Sequence, residues 1–364
     1  PWMSIETTPV GTMRPCCLAK DHIHSDGIPL ETKVVSLSTA FQSAYMKNLR
    51  QEFISGGKPE TCGRCWNEEA AGRTSKRMHS LNKFKHVIDR IDFKRDDPKD
   101  IMFLDLKLGN ICNLRCRICG SWSSSRWAQD DIPYEDVPNK KQTRSYALMK
   151  AGEWPENNEQ WWKDLETILP GVEFIEFTGG EPFMVIRHFD LLKKAVELDV
   201  AKNISLHYNT NGTMYPDELE VYWKQFREVE IAFSIDNIGD RFEYERHGAG
   251  WFEVENNIKR FKEMAARCGN FKFQICTTVN IQNVYDLPEI TAWAEQQDVS
   301  FVYLNMLHDP SYMCISNLTP KARQMVLEKL DYASFLPKDH NEIQAIHTFV
   351  EQAAGSDGTA FCEY

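Results

Sequence analysis

From Ile101 onward, short apolar runs alternate with stretches whose apolar residues recur every three or four positions. The short runs predict strands at Ile101–Leu108, Val172–Thr178, Ile204–Tyr208, Val229–Ile235, Phe271–Val279 and Phe301–Leu307. Helices are predicted between them at Arg187–Leu198, Asp217–Phe226, Glu253–Ala266 and Pro288–Gln296; the first puts Phe189, Leu192 and Val196 on one face. Such alternation implies parallel strands joined by right-handed crossovers. Six units make an α/β fold, an incomplete version of the eightfold barrel or an open sheet, and either gathers its active site at the strand ends.

Upstream the pattern is weaker. Residues 1–30 are polar and turn-rich, and Phe41, Tyr45, Leu49 and Phe53 form the stripe of a helix over 38–54, stopped by Gly56 and Gly57. Residues 67–99 are densely charged, with Arg73, Lys76, Lys83 and Arg90 among them. They read as a solvated face ending at Asp96-Asp97-Pro98, although 73–95 is also a place to expect substrate contacts. The connection 120–160 is long enough to be a lid or binding surface. Trp122, Trp127, Trp154, Trp161 and Trp162 in or beside it read mainly as packing residues, with one available to line a cleft. Residues 319–333 and 341–353 read as helices closing the open side, and Gly355–Tyr364 carries little pattern.

Charge narrows the partners. Lys and Arg number 42 against 53 Asp and Glu, a net charge of −11, which argues against non-specific binding to nucleic acid or an anionic membrane. Without a long apolar run or a charged-then-apolar leader, a soluble cytoplasmic protein is expected, and Pro1 in place of Met suggests that the native start is missing.

Cysteine changes the picture most. Eleven are present, and clustering in a large chain points to metal rather than to a disulfide scaffold. Cys112, Cys116 and Cys119 form C-x3-C-x2-C directly after the first strand. Three thiols there can converge on one inorganic centre and leave a coordination position open. Cys62 and Cys65 form C-x2-C, and with Cys16 or Cys17 they suggest a second metal site; free thiols are the plain alternative. Other strand ends carry Gly179-Gly180-Glu181-Pro182, Asn209-Thr210-Asn211-Gly212, Ser234-Ile235-Asp236, Thr277–Asn280, and Asn305 with His308. Gly179 and Gly180 would let backbone approach a ligand. Asn209, Ser234 and Asp236 suit ribose hydroxyls, though each alone serves equally as a turn former or cap. Cys268, Cys276 and Cys314 read first as small buried hydrophobes, with Cys276, in a strand that can line the barrel, as an alternative hydrogen donor. His308 reads as a structural histidine or a base.

C-x3-C-x2-C after the first strand and Gly-Gly-Glu-Pro after the second together resemble the radical S-adenosylmethionine (radical SAM) superfamily, over about residues 101–308. The resemblance implies a partial (β/α)6 TIM-like barrel and a 4Fe–4S cluster on Cys112, Cys116 and Cys119, with SAM chelating the fourth iron. One electron, from a donor such as flavodoxin or ferredoxin, would split SAM to a 5′-deoxyadenosyl radical that abstracts a substrate hydrogen. By carry-over, Gly179, Gly180 and Glu181 meet the SAM amino group, and Asn209, Ser234 and Asp236 lie near ribose or carboxylate. Arg246 is then a carboxylate partner, with a surface arginine as the alternative.

Pro1-Trp2, Arg14-Pro15-Cys16-Cys17, Lys58–Trp66 and Gly72–Arg77 resemble SPASM/twitch auxiliary-cluster modules, here ahead of the barrel. That resemblance implies a second cluster, 4Fe–4S or 2Fe–2S, on Cys16, Cys62 and Cys65. Its fourth ligand is left to substrate, Cys314, Cys362 or a residue before Pro1. It divides the chain into an auxiliary module and linker (1–99), a barrel (100–310) and a helical extension (311–364). Such relatives often modify ribosomally made peptides, so a peptide side chain is the first expected substrate and a small metabolite the second. A non-enzymatic zinc-binding or electron-transfer protein is the reading from another class.

Overall fold

The computed structural model describes residues 1–70, 74–299, 301–330 and 340–352. Six of its strands are those expected: β3 (Phe103–Lys107), β4 (Phe174–Thr178), β5 (Ser205–Thr210), β6 (Glu228–Ser234), β7 (Phe271–Val279) and β8 (Phe301–Met306). Two more come from the polar amino-terminal region, β1 (Ser4–Thr7) and β2 (Met13–Arg14). All eight form one sheet in the order β8-β7-β6-β5-β4-β3-β1-β2, parallel throughout except for the final β1–β2 pair. The result is the expected partial barrel, extended at one edge by the amino terminus.

The outer face of the sheet is apolar. Ile175, Phe177, Leu206, Tyr208, Ile231, Phe233 and Ile275 are fully buried in one core with Phe261, Ile290 and Leu192 of the crossover helices. Those helices are Arg187–Glu197, Trp251–Cys268 and Leu287–Gln296; the stretch expected as a helix over Asp217–Phe226 is a short turn, Asp217–Leu219, running into Glu220–Trp223.

The inner face is a different surface. Backbone register aligns Glu6, Asp105, Glu176, His207, Glu230 and Lys272 side by side across six strands. Side chains alternate along a strand, so these ionisable groups form one rung inside the barrel. Below the rung, Phe103 and Phe174 point inward and pack on Phe84, with ring centroids 5.1–5.5 Å apart. Phe84 belongs to the charged stretch, which is not simply a solvated face. Its helices, Lys76–Lys83 and Lys85–Ile88, lie against the barrel interior. Lys76 reaches Glu176 and Lys83 reaches Glu230, each at 3.7 Å. The apolar residues of the segment draw it in, and its lysines oppose the rung's acids. Arg73 lies outside the described residues.

The helix expected over 38–54 breaks at Gln42 and Ser43 into Leu37–Phe41 and Ala44–Ile54, because Ser43 caps the second piece through the Met46 N–H. Arg50, fully buried within it, donates to the carbonyls of Pro1, Phe41 and Asp96, tying the first residue, a helix and the linker together. The connection 120–160 carries two short helices, Ser125–Asp131 and Arg144–Ala151, among turns. Trp154, Trp161 and Trp162 are buried packing residues, while Trp122 is 40% exposed. The two last helices are Pro320–Lys329 and His340–Gln352. Residues 331–333 and the tail with Cys362 lie outside the described residues. Among the described residues no helix is long and apolar enough to cross a membrane.

If the aromatic plug holds helix Lys76–Lys83 in place, Phe84→Ala should destabilise the protein by about 3–5 kcal/mol, the usual cost of emptying a buried Phe site. Denaturant unfolding reads this directly; a loss below about 1 kcal/mol would mean that the segment does not depend on the plug.

Candidate active site

The three-cysteine loop leaves the carboxyl end of β3 and is held from four directions. Asn110 donates to the carbonyls of Ser121 and Leu148. Trp127 donates through its indole N–H to the Cys116 carbonyl at 2.9 Å, and Ser124 to that of Leu114 at 2.6 Å. Cys116 and Arg115 pair antiparallel with Arg246 and His247, and the Arg117 N–H donates to the Glu245 carbonyl at 2.8 Å. Asn113 donates to Thr213 and accepts from Asn211, beyond β5. Cys116 is buried and Cys112 and Cys119 half-buried. The thiol of Cys112 accepts from the Leu114 N–H at 3.5 Å, and burial pushes it up to about 11. Cys116 is held below the usual thiol range by its hydrogen bond with Cys119.

Gly179 and Gly180 are required by contact between chain segments. A Cβ on Gly180 would overlap the Ile111 carbonyl, and one on Gly179, at φ +116°, would stand 2.7 Å from the Gly109 carbonyl oxygen. The Gly180 and Glu181 N–H groups donate to Gly109 and Ile111, so the turn after β4 is laced to the base of the cysteine loop. The fully buried Glu181 carboxylate accepts from Phe183 N–H, Thr210 and Asn211 N–H at 2.8–3.2 Å; burial nonetheless pushes it up to about 7.

Arg246 is no surface arginine. It is buried, pairs with Asp236 at 2.8 Å and reaches the Cys116 sulfur at 3.9 Å, while its Nε has no hydrogen-bond partner. The second Asp236 oxygen accepts from the Thr278 N–H at 2.8 Å. Register puts Asn209 opposite Ala232, and Ser234 opposite Cys276, on the inner face. Glu245, beyond the carboxyl ends of β6 and β7, escaped sequence reasoning. Its carboxylate accepts from Asn237, Asn280 and Asn283, and burial with the nearby Asp236 pushes it up to about 8. No periodicity marks these residues; the fold alone brings them together.

Thiolate donors beside a buried guanidinium with a free N–H suit an anionic iron–sulfur centre. Among the described residues, no three His, Cys, Asp or Glu side chains stand so as to hold one metal ion in common.

Burial pushes the Cys16 and Cys62 thiols up, Cys62 to about 11; Cys65 adds to both and Cys16 to Cys62. Burial also pushes the Cys17 thiol well up, with Asp105 and Cys16 adding to it and Lys76 and Lys107 opposing. Cys314 is buried in its own turn, donating to the Pro310 carbonyl.

Residues 106–278, just under half of the chain, match the family model described as the Radical SAM superfamily. No curated protein matches the chain. Among solved structures, native anSMEcpe with bound AdoMet aligns at 17% identity over 66% of this chain and 61% of that one, with a TM-score of 0.44. SuiB of Streptococcus suis aligns at 14% identity over 91% and 66% respectively, with a TM-score of 0.40. SuiB bound to precursor peptide SuiA aligns at 16% over 71% and 52%, with a TM-score of 0.37. The chain thus spans less than two-thirds of the length of each.

Gly180→Ala should displace the cysteine loop and lower the iron retained after anaerobic reconstitution several-fold, with the sheet intact by circular dichroism. Wild-type iron content in that variant would show that the loop does not need the close contact.

Proposed function

We propose that this chain, whose residues 106–278 match the Radical SAM superfamily model, is an enzyme that cleaves SAM reductively and removes a hydrogen atom from its substrate. The observation that carries the reading is the three-cysteine loop seated at the carboxyl end of β3 inside the matched span. Cys112, Cys116 and Cys119 would hold a 4Fe–4S cluster, which with SAM supplies one-electron chemistry.

The residues around it have separable tasks. Arg246 offers positive charge beside Cys116 and is itself oriented by Asp236. Glu181 uses both carboxylate oxygens to fix the end of β5 against the Gly-Gly turn, which leaves its neighbours' carbonyls to meet the SAM amino group. Asn209 and Ser234 face the interior at heights suited to ribose. Glu245, in its nest of three asparagine amides, positions the segment that pairs with the cysteine loop.

Cys16, Cys62 and Cys65 would hold an auxiliary cluster, a reading supported by the C-x2-C spacing of the last two and by their partial or full burial together with Cys16. Their likeness to SPASM/twitch modules supports a peptide side chain as substrate, with a small metabolite second. Reduction would come from a flavodoxin- or ferredoxin-type donor.

Reconstituted protein given dithionite and SAM should form 5′-deoxyadenosine, and Cys116→Ala should abolish it; failure of the wild type to form any would sink the reading. The Cys62→Ala, Cys65→Ala double variant should lose about half of roughly eight irons. Unchanged iron would remove the auxiliary site.

A further inference from the structure

The rung inside the barrel is unevenly satisfied. At one end, Glu6 accepts from Arg14 Nε at 2.7 Å and Nη2 at 2.8 Å, and it also pairs with Lys107. At the other, Glu230 pairs with His207 at 2.6 Å and with Lys83 at 3.7 Å; against its burial, these hold it down to about 2. Between them, Asp105 and Glu176 sit directly opposite each other on adjacent strands. Asp105 is 4% exposed, yet its Oδ1 accepts no hydrogen bond, with Lys107 Nζ 3.9 Å away and bound to Glu6. The Glu176 Oε2 is 3.7 Å from Lys76 Nζ, outside hydrogen-bond reach.

Two carboxylates facing each other across a ladder repel, and an unsatisfied buried one is costly. Burial pushes Asp105 up to about 7, with Lys107 and Lys76 pulling against it and Glu176 and Glu6 reinforcing it; against its own burial, Glu176 is held below the usual carboxylate range by Lys76, His207, Lys83 and Lys107. We propose that the Asp105–Glu176 pair is the seat for a primary ammonium group of the substrate, on a lysine side chain or a free alkylamine. An ammonium brings three N–H donors and a compensating charge, enough to bridge both carboxylates at once. A hydroxyl or amide brings fewer donors and no charge. Lys76 stands in for the ligand. It comes from a helix outside the sheet, and its side chain is 33% exposed, so solvent reaches the space beside the pair and the lysine has room to withdraw.

The seat lies at a useful height. Thr178, two residues above Glu176 and so about 7 Å higher, has an unpartnered hydroxyl. Cys276 feels both Glu176 below and Arg246, the partner of Cys116, above. A four-carbon stem anchored on the rung would extend up towards the level of Thr178 and Asn209.

The inference rests on the radical SAM reading for what happens to the substrate, but its test reads binding, so either can fail alone: SAM cleavage reports on the cysteine loop and amine selectivity on the rung. Reconstituted holoprotein is titrated calorimetrically with N-acetyl-lysine methylamide, its Nε-acetylated counterpart and n-butylamine. The ammonium probes should bind at least tenfold tighter than the acetylated one. Asp105→Asn and Glu176→Gln should each weaken ammonium binding tenfold or more without moving the acetylated probe. Lys76→Met should tighten ammonium binding several-fold by removing the competing cation, a gain that a merely structural lysine would not produce. A lysine probe bound tenfold tighter than butylamine identifies a peptide side chain as the source, and equal affinity a free amine. Absence of ammonium selectivity, through equal binding or none, overturns the proposal, as does weakened binding in Lys76→Met.

Discussion

Burying a row of carboxylates inside a barrel is expensive unless cations come to meet them. Glu6, Asp105, Glu176 and Glu230 share one level of the sheet, and the barrel strands themselves bring Lys107 and His207. The rest of the compensation, Arg14, Lys76 and Lys83, comes from the amino-terminal hundred residues. The amino-terminal region and the barrel are therefore joined electrostatically as well as through β1, which pairs with β3 along its whole length. The aromatic plug of Phe84, Phe103 and Phe174 closes the bottom of the same interior. Together these contacts set the direction from which the interior can be entered.

The cysteine loop depends on the opposite device, dense satisfaction of polar groups. Its backbone is anchored by Asn110, Trp127, Ser124 and the two-residue ribbon with Arg246 and His247. Glu181 and Glu245, two buried carboxylates outside the loop, hold the segments against which it rests, each accepting three hydrogen bonds from the chain. Such networks are rigid when complete. The backbone of the loop is fixed in this way, while the Cys116 and Cys119 thiols lie within hydrogen-bond reach of each other.

Much of this was legible in the residues. The six barrel strands emerged from short apolar runs because their outer faces must be buried on both flanks by helices. The three cysteines were legible because ligand spacing is local. The long connection was harder to read: its helices, Ser125–Asp131 and Arg144–Ala151, carry few apolar residues at regular spacing. β1 and β2 were missed since strands of four and two residues leave no periodicity to see. The lysines of 76–83 read as solvated because nothing in a charge run indicates that its partners lie a hundred residues away, inside a barrel.

Sequence by itself determined the α/β class, the strand order along the chain and the clustering of the three cysteines, all of which rest on periodicity or on spacing within a dozen residues. Tertiary structure alone decided what the glycines of Gly-Gly-Glu-Pro are for. Their missing side chains leave room for the base of the cysteine loop, an approach between segments some seventy residues apart. It likewise decided that Arg246 is buried over Cys116 and that Asp105 faces Glu176. Register and crossover geometry set those encounters, and neither is written in any local run of residues.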